Sequence, residues 1–435
     1  MNAPTNTPTN TAKNAATKAP PISPLSQPPV DAPFEPTIAS MDPRPDMPND
    51  ASSQPPTTST TITPPLPAAP SPWLDALALA AQSIGLTEPN PRVGCVLVSR
   101  SGEVLGRGHT QRAGDAHAEV MALREAAARG RDVRGATAFV TLEPCSHHGR
   151  TPPCCDALIA AGLARVEVGV QDPNPLVAGQ GIARLRAAGV EVAMANTAVA
   201  AASRELNIGF FSRMLRGRPW VRMKIAATLD GRTALPDGRS QWITGEAARA
   251  DGHAWRRRAS AVLTGVGTVK EDDPRLDVRL VPTPRQPLRV IVDSRVETPP
   301  GARILEAPGD VLVYAADAAS PGRAALEARG ASLAFKSGAG GKVDLAAMLD
   351  DLAARGINEL HVEAGHKLNG SFVREGLVDE LLVYVAPKLL GEGREMAAFG
   401  PLASLADALP LRFVDVSRIG DDLRIVARIV GRDDF

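Results

Sequence analysis

Between residues 72 and 170, segments with the spacing of strands alternate with segments with the spacing of helices, and this alternation restricts the fold more than any other feature. The first helix follows Ser71, whose side chain can cap it, and Ser101-Gly102 indicates a hairpin between the first two strands. Predicted strands cover residues 93–98, 104–105, 138–142 and 166–170, and predicted helices cover residues 72–84, 116–129 and 155–161. Such alternation is typical of an α/β layer sandwich, in which chemistry takes place at strand-to-helix loops.

A second α/β unit begins near Arg218, because Gly217 and Pro219 interrupt the pattern just before a new strand. Its predicted strands cover residues 221–227, 261–263, 288–292, 311–314, 359–362 and 381–385, with helices at residues 246–258 and 344–355 among others. Residues 199–217 are expected to join the two units. The sequence therefore predicts an α/β protein with one domain over residues 71–217 and another over residues 218–435.

The first 70 residues differ in composition from everything that follows. They hold 18 of the 39 prolines and few apolar side chains, so burial cannot offset the entropy lost on ordering. A transit peptide would normally be rich in arginine, and Arg44 is the only arginine here. We therefore predict that residues 1–70 form a disordered Pro/Thr-rich tail.

Charge balance and cysteine content exclude several classes of protein. Lys plus Arg and Asp plus Glu each number 48, so no overall field attracts nucleic acid or a membrane surface. No apolar run is long enough to cross a membrane, and four cysteines in 435 residues cannot form a disulfide framework. We expect a cytoplasmic protein with reduced thiols, and partners that include neither nucleic acid nor membrane.

Three of the four cysteines lie within residues 143–155, which read EPCSHHGRTPPCC. Where thiols stay reduced, such a cluster more often binds metal or takes part in chemistry than forms disulfides. A catalytic zinc site takes three protein ligands and leaves the fourth position to water. Cys145 and Cys154 supply two thiolates, and His117, two residues before Glu119, supplies the third ligand.

The order His-x-Glu followed by Pro-Cys and Cys is the signature of zinc deaminases, in which the glutamate transfers protons and binds no metal. Residues two apart on a helix point about 200° away from each other, an objection that is weaker in the first turn, where His117 can lie at the edge of the helix end that faces the site. The two cysteines are nine positions apart instead of three, and the longer loop between them can contact a substrate. We predict Glu119 as catalytic, with His117, Cys145 and Cys154 holding one zinc ion per chain.

A purely structural zinc site is the alternative interpretation of the same cysteines. It requires a fourth protein ligand, for which His147 and His148 are the candidates, and it leaves Glu119 without a role. Because both halves of the motif occur in the expected order, we favour the catalytic site. Cys95, within an apolar strand, and Cys155, next to a ligand, are interpreted as packing residues.

Several segments together resemble the bifunctional riboflavin-biosynthesis deaminase–reductase family. The resemblance covers residues 73 to 430 and leaves out only the tail. The segments that carry it are residues 87–95 (TEPNPRVGC), 113–119 (AGDAHAE), 143–155, 170–175 (VQDPNP), 179–181 (GQG), 224–233 (KIAATLDGRT) and 240–244 (SQWIT). The long cysteine spacing is the one this family uses. The chain departs from the family pattern at Thr110, which stands where a histidine is often found, with His109 one place earlier; this concerns a substrate contact and not the zinc chemistry.

The resemblance implies a cytidine-deaminase-like three-layer α/β/α domain followed by a dihydrofolate-reductase-like α/β domain. It implies hydrolytic deamination of a diamino-hydroxy-pyrimidine that carries a phosphoribosylamino arm, and then reduction of the ribosyl arm to ribityl with NADPH. It further implies small-molecule phosphoribosylated pyrimidines as substrates and a homo-oligomer, a dimer or a tetramer. Two alternative functions use the same zinc chemistry. One is a deaminase with an inactive reductase domain. The other is a nucleic-acid base deaminase, and the balanced charge argues against this second alternative.

For the second domain, the resemblance implies two groups of site residues. The cofactor contacts are Ala226, Trp242, Thr268, Asp272, Ser294, Gly365, His366, Lys367, Leu368, Asn369, Gly370 and Ser371. The substrate contacts are Ser240, Arg256, Leu276, Arg279 and Glu363.

Side-chain chemistry gives these assignments partial support. Guanidinium groups bind phosphate in a bidentate manner, and the loop at residues 364–371 opens a helix whose amides suit a pyrophosphate, although an ordinary strand-to-helix turn explains it equally well. Ser294-Arg295 follows a strand where a 2′-phosphate can be bound, which favours NADPH, whereas Asp293 argues the other way. Lys224 can assist opening of the sugar ring or form a structural ion pair.

Overall fold

The computed structural model describes residues 71–147, 152–175 and 177–435, so the tail predicted for residues 1–70 lies outside the described residues. The described chain builds two β-sheets, one from residues 94–194 and one from residues 220–429. None of its described helices has both the length and the apolar character needed to span a lipid bilayer.

The first sheet has five strands in the order β2-β1-β3-β4-β5. Its strands are β1 (Gly94–Val98), β2 (Val104–His109), β3 (Thr137–Val140), β4 (Arg165–Val168) and β5 (Glu191–Met194). The helices around it are α1 (Pro72–Gln82), α2 (Ala118–Ala128), α3 (Cys154–Ala160), α4 (Gln180–Ala187), α5 (Thr197–Leu206) and α6 (Ile208–Arg216). The predicted hairpin is confirmed, since β1 and β2 pair antiparallel, and so is the cap of α1, since Ser71 Oγ accepts from the amide of Trp73.

Both faces of this sheet are covered by helices, which explains why every residue of β1 is buried. Val96 and Val98 pack with Ala76 of α1, whereas Cys95 and Leu97 on the opposite face belong to the core that contains the buried alanines of α2. The predicted three-layer α/β/α arrangement is therefore confirmed. Cys95 is a core residue, as the sequence predicted.

The second sheet has nine strands in the order β10-β9-β8-β7-β11-β6-β12-β14-β13. Its strands are β6 (Trp220–Thr228), β7 (Ala261–Gly265), β8 (Leu288–Val292), β9 (Val311–Ala315), β10 (Ser332–Phe335), β11 (Glu359–Val362), β12 (Glu380–Ala386), β13 (Leu411–Ile419) and β14 (Asp422–Ile429). The helices are α7 (Glu246–Arg258), α8 (Val266–Asp272), α9 (Arg303–Glu306), α10 (Arg323–Glu327), α11 (Leu345–Ala354) and α12 (His366–Arg374), with 3₁₀ turns at Ala339–Gly341 and Leu405–Asp407.

The first seven strands in this order, from β10 to β12, run parallel to one another. The last two, β14 and β13, pair antiparallel and complete the sheet. Because β8, β7 and β11 are neighbours, the loops after their carboxyl ends meet at one edge, where open α/β sheets bind ligands. The segment that we expected to join the two units consists mainly of α5 and α6, which are separated at Asn207. Gly217 ends α6 with a φ of 69°, a left-handed conformation that favours glycine.

Candidate active sites

The start of α2 positions the first two residues of the zinc motif. Helix α2 packs directly against β2, since a Cβ on Gly108 would lie 2.2 Å from the carbonyl oxygen of Ala118. His117 is the N-cap of α2, with extended φ and ψ of −78° and 169°, and Glu119 lies in the first turn. The extended conformation at His117 removes the objection that residues two apart on a helix face opposite directions. Both side chains line one cleft.

Cys145 and Cys154 complete a compact group with His117. The Nδ1 atom of His117 lies 3.3 Å from Sγ of Cys154 and 3.6 Å from Sγ of Cys145, and the ligand atoms of all three residues lie within 4.8 Å of one another. Two ligand atoms on one tetrahedral zinc lie about 3.6 Å apart, given ordinary Zn–S and Zn–N distances. The spacing and the donor types therefore fit zinc.

Charge at this group is set by burial and by the pairing of the two thiols. A hydrogen bond with Cys154 lowers the pKa of Cys145 to about 4, and the same hydrogen bond, with burial, raises the pKa of Cys154. The two thiols thus share one negative charge, and a bound cation favours ionisation of both. Burial raises the pKa of Glu119 to about 7, with Cys145 adding to the rise and His117 opposing it.

The other cysteine and histidine of the motif lie outside the group. Cys155 is buried with its Sγ 3.3 Å from the carbonyl oxygen of Pro144, which agrees with its interpretation as a packing residue. His147 is exposed and lines the cleft without joining His117, Cys145 and Cys154. His148, the other candidate for a fourth ligand, lies outside the described residues.

The cleft beside this group has a volume of about 370 Å³. Its wall includes Asn90 and Asn174, the central residues of two Pro-Asn-Pro tripeptides that are far apart in the sequence. Sequence reasoning gave neither asparagine a role, and the repetition of the tripeptide is the signal that could have identified them. Asp115 and Asp172 add carboxyl groups to the same wall, and burial raises the pKa of Asp172 to about 6.

Glu143 holds the second of these loops in place. Its carboxylate is buried and accepts from the backbone amides of Asp172, Gly179 and Ile182, at 3.2, 2.9 and 3.1 Å. The first residue of the cysteine motif thus positions the wall of the cleft, since three amides converge on one buried side chain.

A second, larger cleft of about 1110 Å³ lies at the carboxyl edge of β8, β7 and β11. Gly365 is the N-cap of α12 and has no side chain to satisfy the first-turn amides, so the positive end of α12 meets the cleft. The lining includes five basic side chains, Arg295, Lys342, Lys367, Arg374 and Arg394, and five acidic ones, Glu271, Asp293, Glu297, Asp344 and Glu375. Because Arg295 pairs with Glu297 and Arg394 with Glu271, the feature that suits an anionic ligand is the positive end of α12.

The structure gathers part of the predicted cofactor contacts in this cleft. Those that line it are Thr268, Ser294, Gly365, His366, Lys367, Leu368 and Ser371. The remaining ones lie elsewhere. Asn369 and Gly370 are buried, with Asn369 Nδ2 donating to the carbonyl of Met396. Asp272 lines an adjoining cavity with Ser240, Trp242 is 64% exposed, and Ala226 lies within β6.

Two of the predicted substrate contacts of the second domain, Arg256 and Glu363, form an ion pair, whereas Ser240 lies in the cavity that also holds Asp272. Arg256 Nη2 donates to Glu363 Oε2 at 2.8 Å, and Lys224 Nζ lies 3.8 Å from the same oxygen. Burial by itself would raise the pKa of Glu363, but Arg256 and Lys224 outweigh it and hold that pKa well below its usual range. Of the two roles considered for Lys224, the ion pair is therefore present.

Arg279 and Leu276 lie beside this ion pair, next to Asp277. Arg279 Nη1 donates to Asp277 Oδ1 at 2.7 Å, and Leu276 is buried with a φ of 53°. The sequence reasoning missed His253, whose Nδ1 accepts from the amide of Arg279 at 3.1 Å. Burial, with repulsion from Arg256 and Arg279, lowers the pKa of His253 to about 4, which keeps the ring neutral. Its position one helical turn before Arg256 is the signal that could have identified it.

Two family models match this chain. The model described as "Cytidine and deoxycytidylate deaminase zinc-binding region" matches residues 71–170, and the model described as "RibD C-terminal domain" matches residues 219–425. The first range contains the group of His117, Cys145 and Cys154, and the second contains the larger cleft.

Complete relatives match across both ranges. The riboflavin biosynthesis protein RibD of Escherichia coli (strain K12) is 45% identical over 361 residues, which cover 80% of this chain and 96% of that protein. The Aquifex aeolicus protein of the same name is 42% identical, with 80% and 95% covered. The solved structure of Acinetobacter baumannii RibD superposes with a TM-score of 0.75 at 40% identity, with 82% of this chain and 98% of that chain covered. A Thermotoga maritima structure described as a diaminohydroxyphosphoribosylaminopyrimidine deaminase/5-amino-6-(5-phosphoribosylamino)uracil reductase has a TM-score of 0.73 at 32% identity, with 81% and 96% covered.

Proposed function

This chain belongs to the RibD family of riboflavin biosynthesis proteins, and on that premise we propose which of its residues carry the two activities. It is a bifunctional enzyme of riboflavin biosynthesis, with a zinc-binding deaminase domain and a reductase domain. It acts on small molecules. The proposals concern the residues at each site, the cofactor of the reductase and the substrates.

For the deaminase, we assign the substrate named for the Thermotoga maritima relative, a diaminohydroxyphosphoribosylaminopyrimidine. His117, Cys145 and Cys154 hold zinc, which when bound supplies the Lewis acidity that lets water react near neutral pH. A carboxylate oxygen of Glu119 accepts a proton from the attacking water and delivers a proton to the departing amino group, so ammonia leaves as a neutral molecule. Glu119 is 3% exposed, which protects this proton transfer from bulk water.

The observation that carries this assignment is the convergence of His117, Cys145 and Cys154 within 4.8 Å beside the buried Glu119. A structural zinc site would need a fourth protein ligand, and among the described residues, which include His147 but not His148, no fourth ligand joins the group. An open fourth position next to a carboxyl group is the arrangement that hydrolytic deamination requires.

For the reductase, we assign NADPH to the larger cleft. The positive end of α12 suits the pyrophosphate, and Ser294 with Arg295 suits a 2′-phosphate. Asp293, which argued against a 2′-phosphate, is 1% exposed, and its Oδ2 accepts from both the amide and the hydroxyl of Thr298 at 2.7 Å. One oxygen of its carboxylate is thus held by Thr298, whereas Asp293 also lines the cleft and its Oδ1 has no hydrogen-bond partner among the described residues. NADPH, when bound, supplies the hydride.

The substrate of the reductase is, by this assignment, 5-amino-6-(5-phosphoribosylamino)uracil, whose ribosyl arm becomes ribityl. Arg256 and Arg279 offer guanidinium donors to its phosphate. The ion pair of Arg256 with Glu363 fixes the orientation of that guanidinium before substrate arrives. Lys224 lies close enough to the same carboxylate to share in binding the arm.

We further propose a domain boundary at residues 217 and 218, a homo-oligomeric assembly and a cytoplasmic location. The boundary is supported by the end of α6 at Arg216 and the start of β6 at Trp220. The oligomer and the location follow only from the family resemblance and the scarcity of cysteine.

One experiment tests both assignments. The protein is incubated anaerobically with the phosphoribosylated diaminopyrimidine, with and without NADPH, while ammonia and NADPH oxidation are followed. We expect ammonia in both reactions and NADPH oxidation only after deamination. Ammonia without NADPH oxidation would indicate an inactive reductase domain, and oxidation of NADH at the same rate would contradict the assignment of NADPH.

A further inference from the structure

The loop over residues 87–93 forms one wall of the deaminase cleft. Pro89, Asn90, Pro91 and Val93 all line it. Within the loop, the amide of Asn90 donates to the carbonyl of Thr87 at 2.9 Å, and Thr87 Oγ1 donates back to the carbonyl of Asn90 at 3.1 Å. The loop is therefore a tight turn that presents Asn90 to the cleft, and its position depends on what holds its two ends.

The first end is held by residues of the reductase domain. Glu88 Oε2 accepts from Asn358 Nδ2 at 2.7 Å and from Ser260 Oγ at 2.8 Å. The same Asn358 Nδ2 donates to the carbonyl of Pro89 at 3.0 Å. Asn358 lies immediately before β11 and is 3% exposed, so one buried amide fixes both a side chain and the backbone of the loop.

The second end is held by Glu359, the first residue of β11. Arg92 Nη1 donates to Glu359 Oε1 at 2.6 Å, and Arg92 Nη2 donates to Glu88 Oε1 at 2.9 Å. Arg92 is 3% exposed and Glu359 is 1% exposed, although 267 positions separate them. The charges of Arg92 and Glu359 are thus removed from water, and the two side chains form an ion pair across the two domains.

Removal of one partner from such a contact leaves the others buried and unpaired, which is much more costly than the loss of a surface ion pair. The other oxygen of Glu359 accepts from Arg222 Nη1 and Arg258 Nε, both at 2.8 Å, so its carboxylate cannot turn away from Arg92 at low cost. The contact is rigid because each member has more than one partner. We call Glu88, Arg92, Asn358 and Glu359 the interdomain cluster.

We propose that Asn358 and Glu359 of the reductase domain are positioning residues for the deaminase, because they hold the loop that presents Asn90 to the pyrimidine substrate. This inference rests on the proposed function of the deaminase cleft. None of the described residues that line the deaminase cleft belongs to the reductase domain. The reductase domain thereby contributes to substrate binding without lining the site.

The proposal is tested by steady-state kinetics of Asn358→Ala and Glu359→Gln with the phosphoribosylated diaminopyrimidine, measured as ammonia release. A displaced loop weakens ground-state and transition-state binding alike, so KM rises roughly tenfold while kcat falls by a smaller factor. Zinc content stays at the parent value. The constants for NADPH oxidation with the deaminated substrate also stay unchanged, because Glu363 lies at the opposite end of β11, about 13 Å along the strand.

Glu380→Gln is the matched control. Glu380 is as buried as Glu359, pairs with Arg222 and with Arg428 Nε, the latter at 2.9 Å, and does not contact the loop. Its deaminase KM is expected to equal that of the parent. A parent-like KM in both Asn358→Ala and Glu359→Gln would overturn the proposal, and so would an equal rise in Glu380→Gln, since that would indicate general loosening.

If Glu359→Gln does not fold, Asn358→Ala decides alone, because it removes a neutral side chain and leaves the ion pairs intact. Glu119→Gln, assayed in parallel, tests the proposed deaminase function independently of the interdomain cluster. Ammonia release from Glu119→Gln at the parent rate would contradict the proposed function, whereas the comparison of KM values concerns only the interdomain cluster.

Discussion

The Nδ1 atom of His117 lies 3.3 Å from Sγ of Cys154, although 37 positions separate the two residues. The next residue, Cys155, has its Sγ against the carbonyl oxygen of Pro144 instead. Adjacent cysteines at the start of α3 therefore face different surroundings. This difference allows a direct test of the zinc site.

Cys154→Ser should lower the zinc content from about one per chain to a small fraction, because a hydroxyl is a much poorer zinc ligand than a thiolate. Cys155→Ser should retain its zinc, since this side chain only packs and donates a hydrogen bond. Metal analysis of the two purified variants gives the comparison. Equal zinc in both would rule out Cys154 as a ligand.

Glu119→Gln should keep zinc and lose deamination by a factor of about 10² to 10⁴, which is the usual contribution of a general acid–base group. The ligand set is intact, but the amide cannot carry the proton. Ammonia release measures the loss. The internal control is NADPH oxidation with the already deaminated substrate, which should match the parent since the reductase cleft is separate.

Arg295→Ala should raise the KM for NADPH about twofold to fivefold and leave the KM for NADH unchanged, since only the first cofactor has a 2′-phosphate. The effect is modest because the side chain of Arg295 is 74% exposed. Arg323→Ala, which removes a surface arginine paired with Glu327, is the control. An equal change in both KM values would show that Arg295 does not distinguish the two cofactors.

Acid should weaken the contact between the two domains. Burial by itself would raise the pKa of Glu359, but Arg258, Arg92 and Arg222 outweigh it and lower that pKa well below its usual range. A carboxylate with a lowered pKa in the folded state stabilises the fold fully above its unfolded value of about 4.3 and progressively less as the pH falls below it. The Tm of the parent should thus fall below about pH 4.3 more steeply than the Tm of Glu359→Gln. Parallel curves of Tm against pH would refute this origin of acid sensitivity.

A chain that begins at Ser71 should retain both activities and its zinc. None of the site residues lies within residues 1–70, and Ser71 Oγ, which caps α1, is kept. Ammonia release, NADPH oxidation and Tm should match those of the full chain. Loss of either activity would show that residues 1–70 contribute to the folded enzyme, against the domain division that we propose.

Local patterns were sufficient to identify β1 to β4 and the zinc motif, whereas α4 and β5 were not predicted. The hairpin at Ser101-Gly102, the cap at Ser71 and the helix that begins after His117 depend on residues that are close in the sequence. The motif of His117, Glu119, Cys145 and Cys154 is likewise read from short spacings. These features follow from backbone geometry and ligand chemistry, which depend on residues within a short segment of the chain.

Other features depend on contacts between residues that are far apart in the sequence. Whether His117 and Glu119 face one site was decided by the extended backbone at His117. Asn90 and Asn174 line one cleft only because two separate loops border it. The predicted cofactor contacts did not all gather in the large cleft. Asn369 and Gly370 face the buried side of α12, and Ala226, Trp242 and Asp272 lie on other elements.

The sequence by itself determined the class of fold, the family and the residues of the zinc motif, since each depends on periodicity or on a short motif. The tertiary structure alone decided that Arg92 pairs with Glu359 and that Asn358 holds the loop at Pro89. The sheet order places β11 between β7 and β6, strands that are far from it in the sequence. Strand order is set by the packing of the whole chain, and it is this packing that brings the start of β11 against the deaminase loop.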